Sequence, residues 1–268
     1  FPYPLTASKR VLVVGGGPAG MQAALTAAER GHNVTLCEAG DRLGGQLNYE
    51  EFVPFKKELY DFSQQLAKRM KKAGVNILLN TKVTKEWAEE CNPDAIIAAV
   101  GADHIIPAIP GIDNPKVKFL TELRKSSPDF GKRVVVLGGG LVGCETAIHL
   151  HQQGKDVTVV EMCDDFAVDA TMWHKHAIRI QFKEGVDLQL NTKAVAINEE
   201  GVVVEDKEGN KRTIPADTVF CAVGMRSRSD ELESLRYTVP TFFSVGDCNK
   251  PGQIFDAVSG GHYAGLNI

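Results

Sequence analysis

No two cysteines in this sequence are spaced as a CxxC pair: Cys37, Cys91, Cys144, Cys163, Cys221 and Cys248 lie far apart. That spacing excludes a zinc ribbon, an iron–sulfur ligand set and a dithiol redox pair within the chain. Scattered reduced thiols point to the cytoplasm. No apolar run approaches the ~20 residues of a membrane span. The run Val11–Val14 is too short for a secretory signal and flows into a glycine turn. Positive charge is not in excess either: the formal net charge is −4, and with no local Lys/Arg cluster the footprint of a nucleic-acid binder is missing. No Ser–His–Asp arrangement suggests nucleophilic catalysis. The chain opens FPYPLTASKR without a methionine, and its two prolines favour an extended entry. This reads as a linker and implies a piece of a longer polypeptide; a processed N-terminus is the alternative.

What the sequence does have is a repeat. RVLVVGGGPAGMQAALTAAERGHNVTLCEAGD (10–41) aligns with RVVVLGGGLVGCETAIHLHQQGKDVTVVEMCD (133–164). Gly15, Gly17, Gly20, Gly31 and Glu38 fall on Gly138, Gly140, Gly143, Gly154 and Glu161, an offset of 123 (15 to 138). AGVNILLNTKV (73–83) echoes EGVDLQLNTKA (184–194), and PDAIIAAVGA (93–102) echoes ADTVFCAVGM (216–225). The first copy therefore carries an insertion, expected around Leu43–Phe55, and the second a later compensating one. Each copy reads as a βαβ unit: a β-branched buried run, a glycine turn, an Ala-rich helix ended by glycine, and a second strand ending on an acid. Such alternation implies a doubly wound α/β sheet.

The glycines have separate physical tasks. Gly15 and Gly138 permit the turn, Gly17 and Gly140 let the backbone approach a pyrophosphate, and Gly20 and Gly143 let helix and strand pack closely. The helix N-terminus offers N–H groups and partial positive charge to the phosphates. Glu38 and Glu161 stand where a carboxylate accepts hydrogen bonds from an adenosine ribose. A 2′-phosphate beside Glu161 would meet like charge, and MCDD (162–165) offers no arginine, so the second site favours NADH over NADPH. Arg226 and Arg228 in GMRSRS could reach such a phosphate from another loop.

With these residues in place, the chain resembles the two-dinucleotide-binding-domain flavoproteins, the group of thioredoxin reductase and glutathione reductase. Within it the chain is most similar to the C-terminal flavin module of the NADH:flavin oxidoreductases, the branch of 2,4-dienoyl-CoA reductase, 2-enoate reductase and trimethylamine dehydrogenase. The resemblance implies two Rossmann-like FAD/NAD(P)-binding domains, the second inserted into the first. It assigns 1–104 and 239–268 to FAD and 105–238 to NAD(H). On the FAD side it implies Gly15, Gly17, Pro18, Ala19 and Gly20 at the pyrophosphate, with Glu38 and Ala39 at the ribose. Gly45 and Gln46 of GGQL would reach the flavin, and the backbone near Val83 the adenine. Ala99, Val100 and Gly101 would close over FAD. In FFSVGDC, Gly246 and Asp247 would hold the ribityl chain, and the helix carrying Ile254 and Ala257 would point its N-terminus at the flavin pyrimidine. On the NADH side the resemblance implies Gly138, Gly140, Leu141, Val142, Gly143, Glu145 and Glu161, with Val223 and Gly224 of the second AVG and Glu145 orienting the nicotinamide.

Relatives in this branch carry an N-terminal barrel with FMN and a cysteine-ligated 4Fe–4S cluster. Neither is encoded by these residues, and the FPYP start is where such a chain would leave the cluster segment. The expected function is therefore transfer of hydride from NADH to FAD and onward to that second centre, which reduces an enoate or enoyl substrate. No protein acid, base or metal ligand is required, and reduction of free flavin, quinone or oxygen is a variant within the same class. The alternative from another class is a non-catalytic, ADP-holding structural module. The remaining candidates read as ordinary structure. His174 and His176, like His149 and His151, are i, i+2 pairs on different helix faces, expected to be solvated or partner-facing rather than metal-bound. Cys248 reads as a small buried residue, and residues 56–72 as an amphipathic helix with a solvated face.

Overall fold

The computed structural model describes residues 7–124 and 129–268; the FPYPLT stretch read as a linker lies outside the described residues. The chain begins with β1 (Arg10–Val14), α1 (Pro18–Glu29), β2 (Asn33–Cys37), α2 (Lys57–Lys72), β3 (Asn76–Leu78), α3 (Lys85–Cys91), β4 (Ala95–Ala98) and β5 (Ala102–His104). It continues through β6 (Val117–Lys118), β7 (Arg133–Leu137), α4 (Leu141–Gln152), β8 (Asp156–Val160), α5 (Met172–Phe182) and β9 (Asp187–Gln189). There follow β10 (Lys193–Ile197), β11 (Gly201–Glu205), β12 (Lys211–Pro215) and β13 (Thr218–Cys221), then β14 (Met225–Ser227), α6 (Ser229–Arg236), β15 (Thr241–Ser244) and α7 (Ile254–Leu266). Two compact units result, one from Phe1–Asp103 with Met225–Ile268, the other from His104–Gly224.

The second unit is inserted into the first. The return crossing, however, falls at Gly224/Met225, earlier than the expected boundary at 238/239. The cause is α6, whose Leu232 and Leu235 bury against Leu12, Val14 and Val100 of the first unit.

The sheets of the two units are copies. The first runs β15-β4-β1-β2-β3 and the second β6-β13-β7-β8-β9, all in parallel pairs. Even the register repeats, with Arg10 opposite Asn33 and Arg133 opposite Asp156. Val11, Leu12, Val13 and Val14 are all nearly inaccessible, as a strand covered on both faces must be. Val11 and Val13 pack toward α1 and α7, while Leu12 and Val14 face α6. In the second unit Val134 and Val136 pack under α4 and α5, and Val135 and Leu137 under β11 and β12. The two insertions are visible: the first unit adds the latter part of the 3-10 turn Gly45–Phe52 and a second turn at Pro54–Lys56, and the second adds the antiparallel meander β10-β11-β12.

Each central strand is fastened by an equivalent aspartate. Asp94 accepts hydrogen bonds from the Arg10 amide (2.7 Å) and the Arg10 guanidinium (3.4 Å). Asp217, 123 positions on, accepts from the Lys132 and Arg133 amides (2.9 and 2.8 Å) and from the Arg133 guanidinium (2.5 Å). The Arg133 side chain and these amides hold the Asp217 carboxyl well below the usual aspartate range, and the Arg10 amide acts likewise on Asp94. A carboxyl depressed in the folded state contributes stability that is present above its unfolded pKa of about 3.9 and lost as pH falls toward the folded value. Asp217→Asn should therefore lower Tm most at neutral pH, with the gap to wild type closing below about pH 4. Thermal unfolding followed by circular dichroism at a series of pH values checks this, and a gap that persists in acid would exclude the titration.

Candidate functional site

The glycine turn after β1 is built by backbone approach. A Cβ on Gly15, whose φ is +109°, would lie 2.2 Å from the Ala99 carbonyl oxygen, and one on Gly20 would lie 2.0 Å from the Gly15 carbonyl oxygen. These two glycines let the helix seat on the strand end. Gly17 differs: its φ is −74°, and a Cβ there would meet nothing nearer than the Gly45 Cα at 4.0 Å. Gly17 is also the N-cap of α1, with no side-chain cap and Pro18 following it. The amides of Ala19 and Gly20 thus have no acceptor within the helix, and the Gly17 side of the turn is open. This is the shape a phosphate group fits.

Glu38 completes the locus. Its carboxylate accepts from the Gly16 amide (2.7 Å) and the Gly40 amide (2.6 Å), one on each oxygen. Each oxygen keeps a second lone-pair direction for a vicinal diol. The middle glycine, which motif reading passes over, is thereby explained: a Cβ on Gly16 would lie 2.9 Å from Glu38 Oε2. Gly44 N donates to the Gly16 carbonyl (2.9 Å), which brings Gly45 and Gln46 over the turn. Val83 is buried in the cluster that holds Leu12, Val14 and Cys37.

The second unit repeats the locus group by group. Gly138 and Gly143 make the same close approaches, to Ala222 O (2.4 Å) and Gly138 O (2.0 Å) for an added Cβ. Glu161 accepts from the Gly139 amide (2.6 Å) and the Cys163 amide (2.8 Å). Glu145 is buried, and its Oε1 lies 3.2 Å from His174 Nε2. The expected insertion at Leu43–Phe55 needs correction here. Ala167 N donates to the Gly139 carbonyl (2.7 Å) as Gly44 N does to Gly16, and 44 and 167 are again 123 apart. LGGQL (43–47) therefore has a counterpart in FAVDA (166–170), and the inserted residues begin after it. Asp169, the counterpart of Gln46, accepts a hydrogen bond from the Leu141 amide at 2.9 Å. Sequence reading missed Asp169; continuing the constant offset would have found it.

The returning segment brings the rest of the first locus together. Val245 N bonds Ala98 O (2.9 Å), and a Cβ on Gly246 would lie 2.9 Å from the Ala19 Cβ, so Asp247 follows directly over the first turn of α1. Its Oδ1 accepts from the Gly252 amide at 3.2 Å, and its carbonyl accepts from the Ser227 hydroxyl at 2.6 Å. Burial, reinforced by nearby Asp256, pushes the Asp247 carboxyl up against the lowering effect of the Gly252 bond. At α7 the N-terminus is partly closed, because Gln253 and Asp256 form a capping box ahead of Ile254 and Ala257. Ala99 N bonds Val14 O and Ala222 N bonds Leu137 O, with Gly101 and Gly224 both in positive-φ turns. Val100 is buried, whereas Val142 and Val223 are exposed.

Arg228 belongs to the first unit, where its guanidinium bonds Asp103 (2.9 and 2.8 Å) and the Val100 carbonyl (3.0 Å). It is committed there, and the reach toward a second-unit phosphate left open above loses one of its two arginines. His149 is buried with Gln153 3.0 Å away rather than solvated, and burial lowers its pKa. No group of three or more His, Cys, Asp or Glu side chains is arranged for a metal among the described residues. Cys248 is buried, and all six cysteines are free thiols. Among the described residues no helix is long and apolar enough to cross a membrane.

The family model described as pyridine nucleotide-disulphide oxidoreductase matches residues 9–261. The chain belongs to that family. Membership makes this oxidoreductase a flavin-type module and implies FAD and NAD(P)H as its ligands. It is 38% identical over 267 residues to an NADH oxidase of Thermoanaerobacter brockii, matching 97% of this chain and 41% of that protein. A cinnamate reductase of Clostridium sporogenes is 35% identical over 264 residues, with 97% and 39% covered. The solved structure of a 2-naphthoyl-CoA reductase complex superposes with a TM-score of 0.92 at 30% identity, covering 99% of this chain and 40% of that one. The oxidoreductase thus spans about two-fifths of the length of the relatives it matches.

The glycine geometry separates binding from folding. Gly143→Ala should cost about 1–3 kcal/mol through overpacking. Gly140→Ala, at φ −65° with open space beside it, should cost at most about 1 kcal/mol as a poorer N-cap yet weaken dinucleotide binding at least about tenfold. Urea unfolding of the nucleotide-free protein and a dinucleotide titration measure the two effects. Equal destabilisation by both variants would contradict the assignment.

Proposed function

We propose that this oxidoreductase is the FAD-dependent, NADH-oxidising module of a longer reductase. The observation that carries the reading is the presence of two complete glycine-turn and carboxylate loci with unlike covering loops. The first locus, under Gly44–Gly45–Gln46 and Asp247, suits FAD; the second, under Val168–Asp169, suits NADH. Bound flavin supplies the conversion between a two-electron hydride donor and one-electron carriers.

The residues of the chain do the rest by placement. Ala19 and Gly20 amides receive the first pyrophosphate, and Glu38, already oriented by two amides, receives the ribose diol. Gln46 supplies a neutral donor beside the flavin, and Asp247 an acceptor for the ribityl hydroxyls. In the second locus Val142 and Gly143 amides receive the pyrophosphate, and Glu161 the adenosine diol. Its carboxylate disfavours a 2′-phosphate, since Asp164 and Asp165 add like charge. Lys175, a cation beside that loop, is paired with Asp165. Glu145, held by His174, orients the nicotinamide. Hydride transfer between stacked rings needs no protein acid or base, so positioning is the catalytic contribution.

In a full-length chain a second centre, FMN with a 4Fe–4S cluster in an N-terminal barrel, would take up these electrons and supply the reduction of an enoate- or enoyl-type substrate. The relatives' names, a cinnamate reductase and a 2-naphthoyl-CoA reductase, support a conjugated acyl acceptor, and the free thiols suit a cytoplasmic setting. The test is anaerobic titration of the purified chain. A yellow protein bleached by NADH, and at least about tenfold less readily by NADPH, is the expected result. A colourless chain that binds only ADP would overturn the proposal in favour of a structural nucleotide holder.

A further inference from the structure

The repeat permits a comparison of like positions in the two loci. Across the offset of 123, Pro18 faces Leu141, Gln22 faces Glu145, Glu38 faces Glu161 and Gln46 faces Asp169. The first locus thus carries one carboxylate and two amides where the second carries three carboxylates. The difference is sharpest at the helix end. Pro18 has no N–H at the first position of α1, whereas Leu141 has one, and it is donated to Asp169 Oδ1 at 2.9 Å.

Asp169 does not reach this position by chance of a surface rotamer. Ala167, buried and held at φ +44°, is tied to the Gly139 carbonyl. Phe166 before it is buried and stacks on Phe182. Thr171 after it caps α5 through the His174 amide. The loop is therefore anchored on both sides of the aspartate. An added Cβ on Gly140 would find Asp169 Oδ1 at 4.0 Å, so the carboxylate stands beside the face of the turn that a pyrophosphate must approach. Its field reaches into the first turn of α4: besides burial, Asp169, Glu145 and Glu161 push the Cys144 thiol up to about 12.

We infer that Asp169 sets the affinity of the second dinucleotide site: its carboxylate occupies the Leu141 amide in place of a phosphate oxygen and repels the incoming pyrophosphate. The inference rests on the reading of this locus as the NADH site. Its consequence is a division between the copies. The first has Pro18 and Gln46 at these positions, and its own carboxylate, Asp247, accepts from the Gly252 amide rather than from the helix end; it retains its nucleotide. The second must release its product once per turnover, and Asp169 shortens that stay.

The test compares the FAD-loaded wild-type chain with Asp169→Asn and Asp169→Ser. Asparagine keeps an uncharged acceptor where Asp169 Oδ1 meets the Leu141 amide and the shorter serine gives it up, so the pair separates charge from capping. NADH dissociation constants are read by fluorescence titration at low and at high salt, with Tm measured alongside. Both variants should bind NADH about two- to fivefold more tightly at low salt, the range for one exposed charge contact, and the gain should shrink as salt screens it. Unchanged or weaker NADH binding by both variants, with at most a lower Tm, would reduce Asp169 to a helix cap and overturn the inference. If wild type and variants alike fail to bind NADH while holding FAD, it is the NADH reading of the locus that falls, and the inference with it.

Discussion

A helix can present its amino-terminal amides at the end of a strand only when no side chain stands between them. In this oxidoreductase that condition is met twice, by Gly20 on the Gly15 carbonyl and by Gly143 on the Gly138 carbonyl, where any Cβ would lie at 2.0 Å. Everything at the loci depends on this seating. It fixes which amides face outward, places the second glycine against open space, and sets the distance to the carboxylate at the end of the neighbouring strand. Glu38 and Glu161 are then aligned by the turn itself, through the Gly16 and Gly139 amides, before any ligand arrives.

Because the strand, turn and helix come from one duplicated design, the chemistry of each locus is decided by what is laid over it. The first receives Gly44–Gly45–Gln46 from its own unit and Asp247 from the returning C-terminal segment. Close helix packing makes the second contribution possible: an added Cβ on Gly261 would lie 2.2 Å from Ala19 O, and one on Gly265 would lie 2.7 Å from Ala23 O. α7 can therefore lie against α1 and carry the Gly246–Asp247 loop to the helix end. Among the described residues no C-terminal segment returns to the second locus, and Glu145 and Asp169 stand there at the positions of Gln22 and Gln46.

Much of this was legible in the chain because the determining residues are local. Glycine triads, β-branched runs and an acid at a fixed distance are consequences of backbone geometry, and they recur at a constant offset. What was not legible depended on partners distant in sequence. The crossing near residue 225 is set by Leu232 and Leu235 finding the far face of the first sheet, and the residues between 225 and 239 do not announce that choice. FAVDA shares no identity with LGGQL, so its equivalence appears only when Ala167 and Gly44 are seen bonding matching carbonyls. Likewise, the burial of His149 follows from packing around α4, where helical spacing alone suggested a solvated face.

The order of elements along the chain also imposes an order of assembly. The inserted unit, His104–Gly224, is continuous and has all its strands once β13 has been made. The first unit begins earlier yet finishes last, since its sheet lacks the edge strand β15, and α1 lacks its close partner α7, until residues 241–266 emerge. During synthesis, which proceeds at roughly 5–20 residues per second, the apolar side of α1 and the face of β4 wait uncovered for several seconds while the inserted unit folds. The part of the first unit made before the insertion is thus the most exposed to misassociation, and its protection arrives only with β15 and α7.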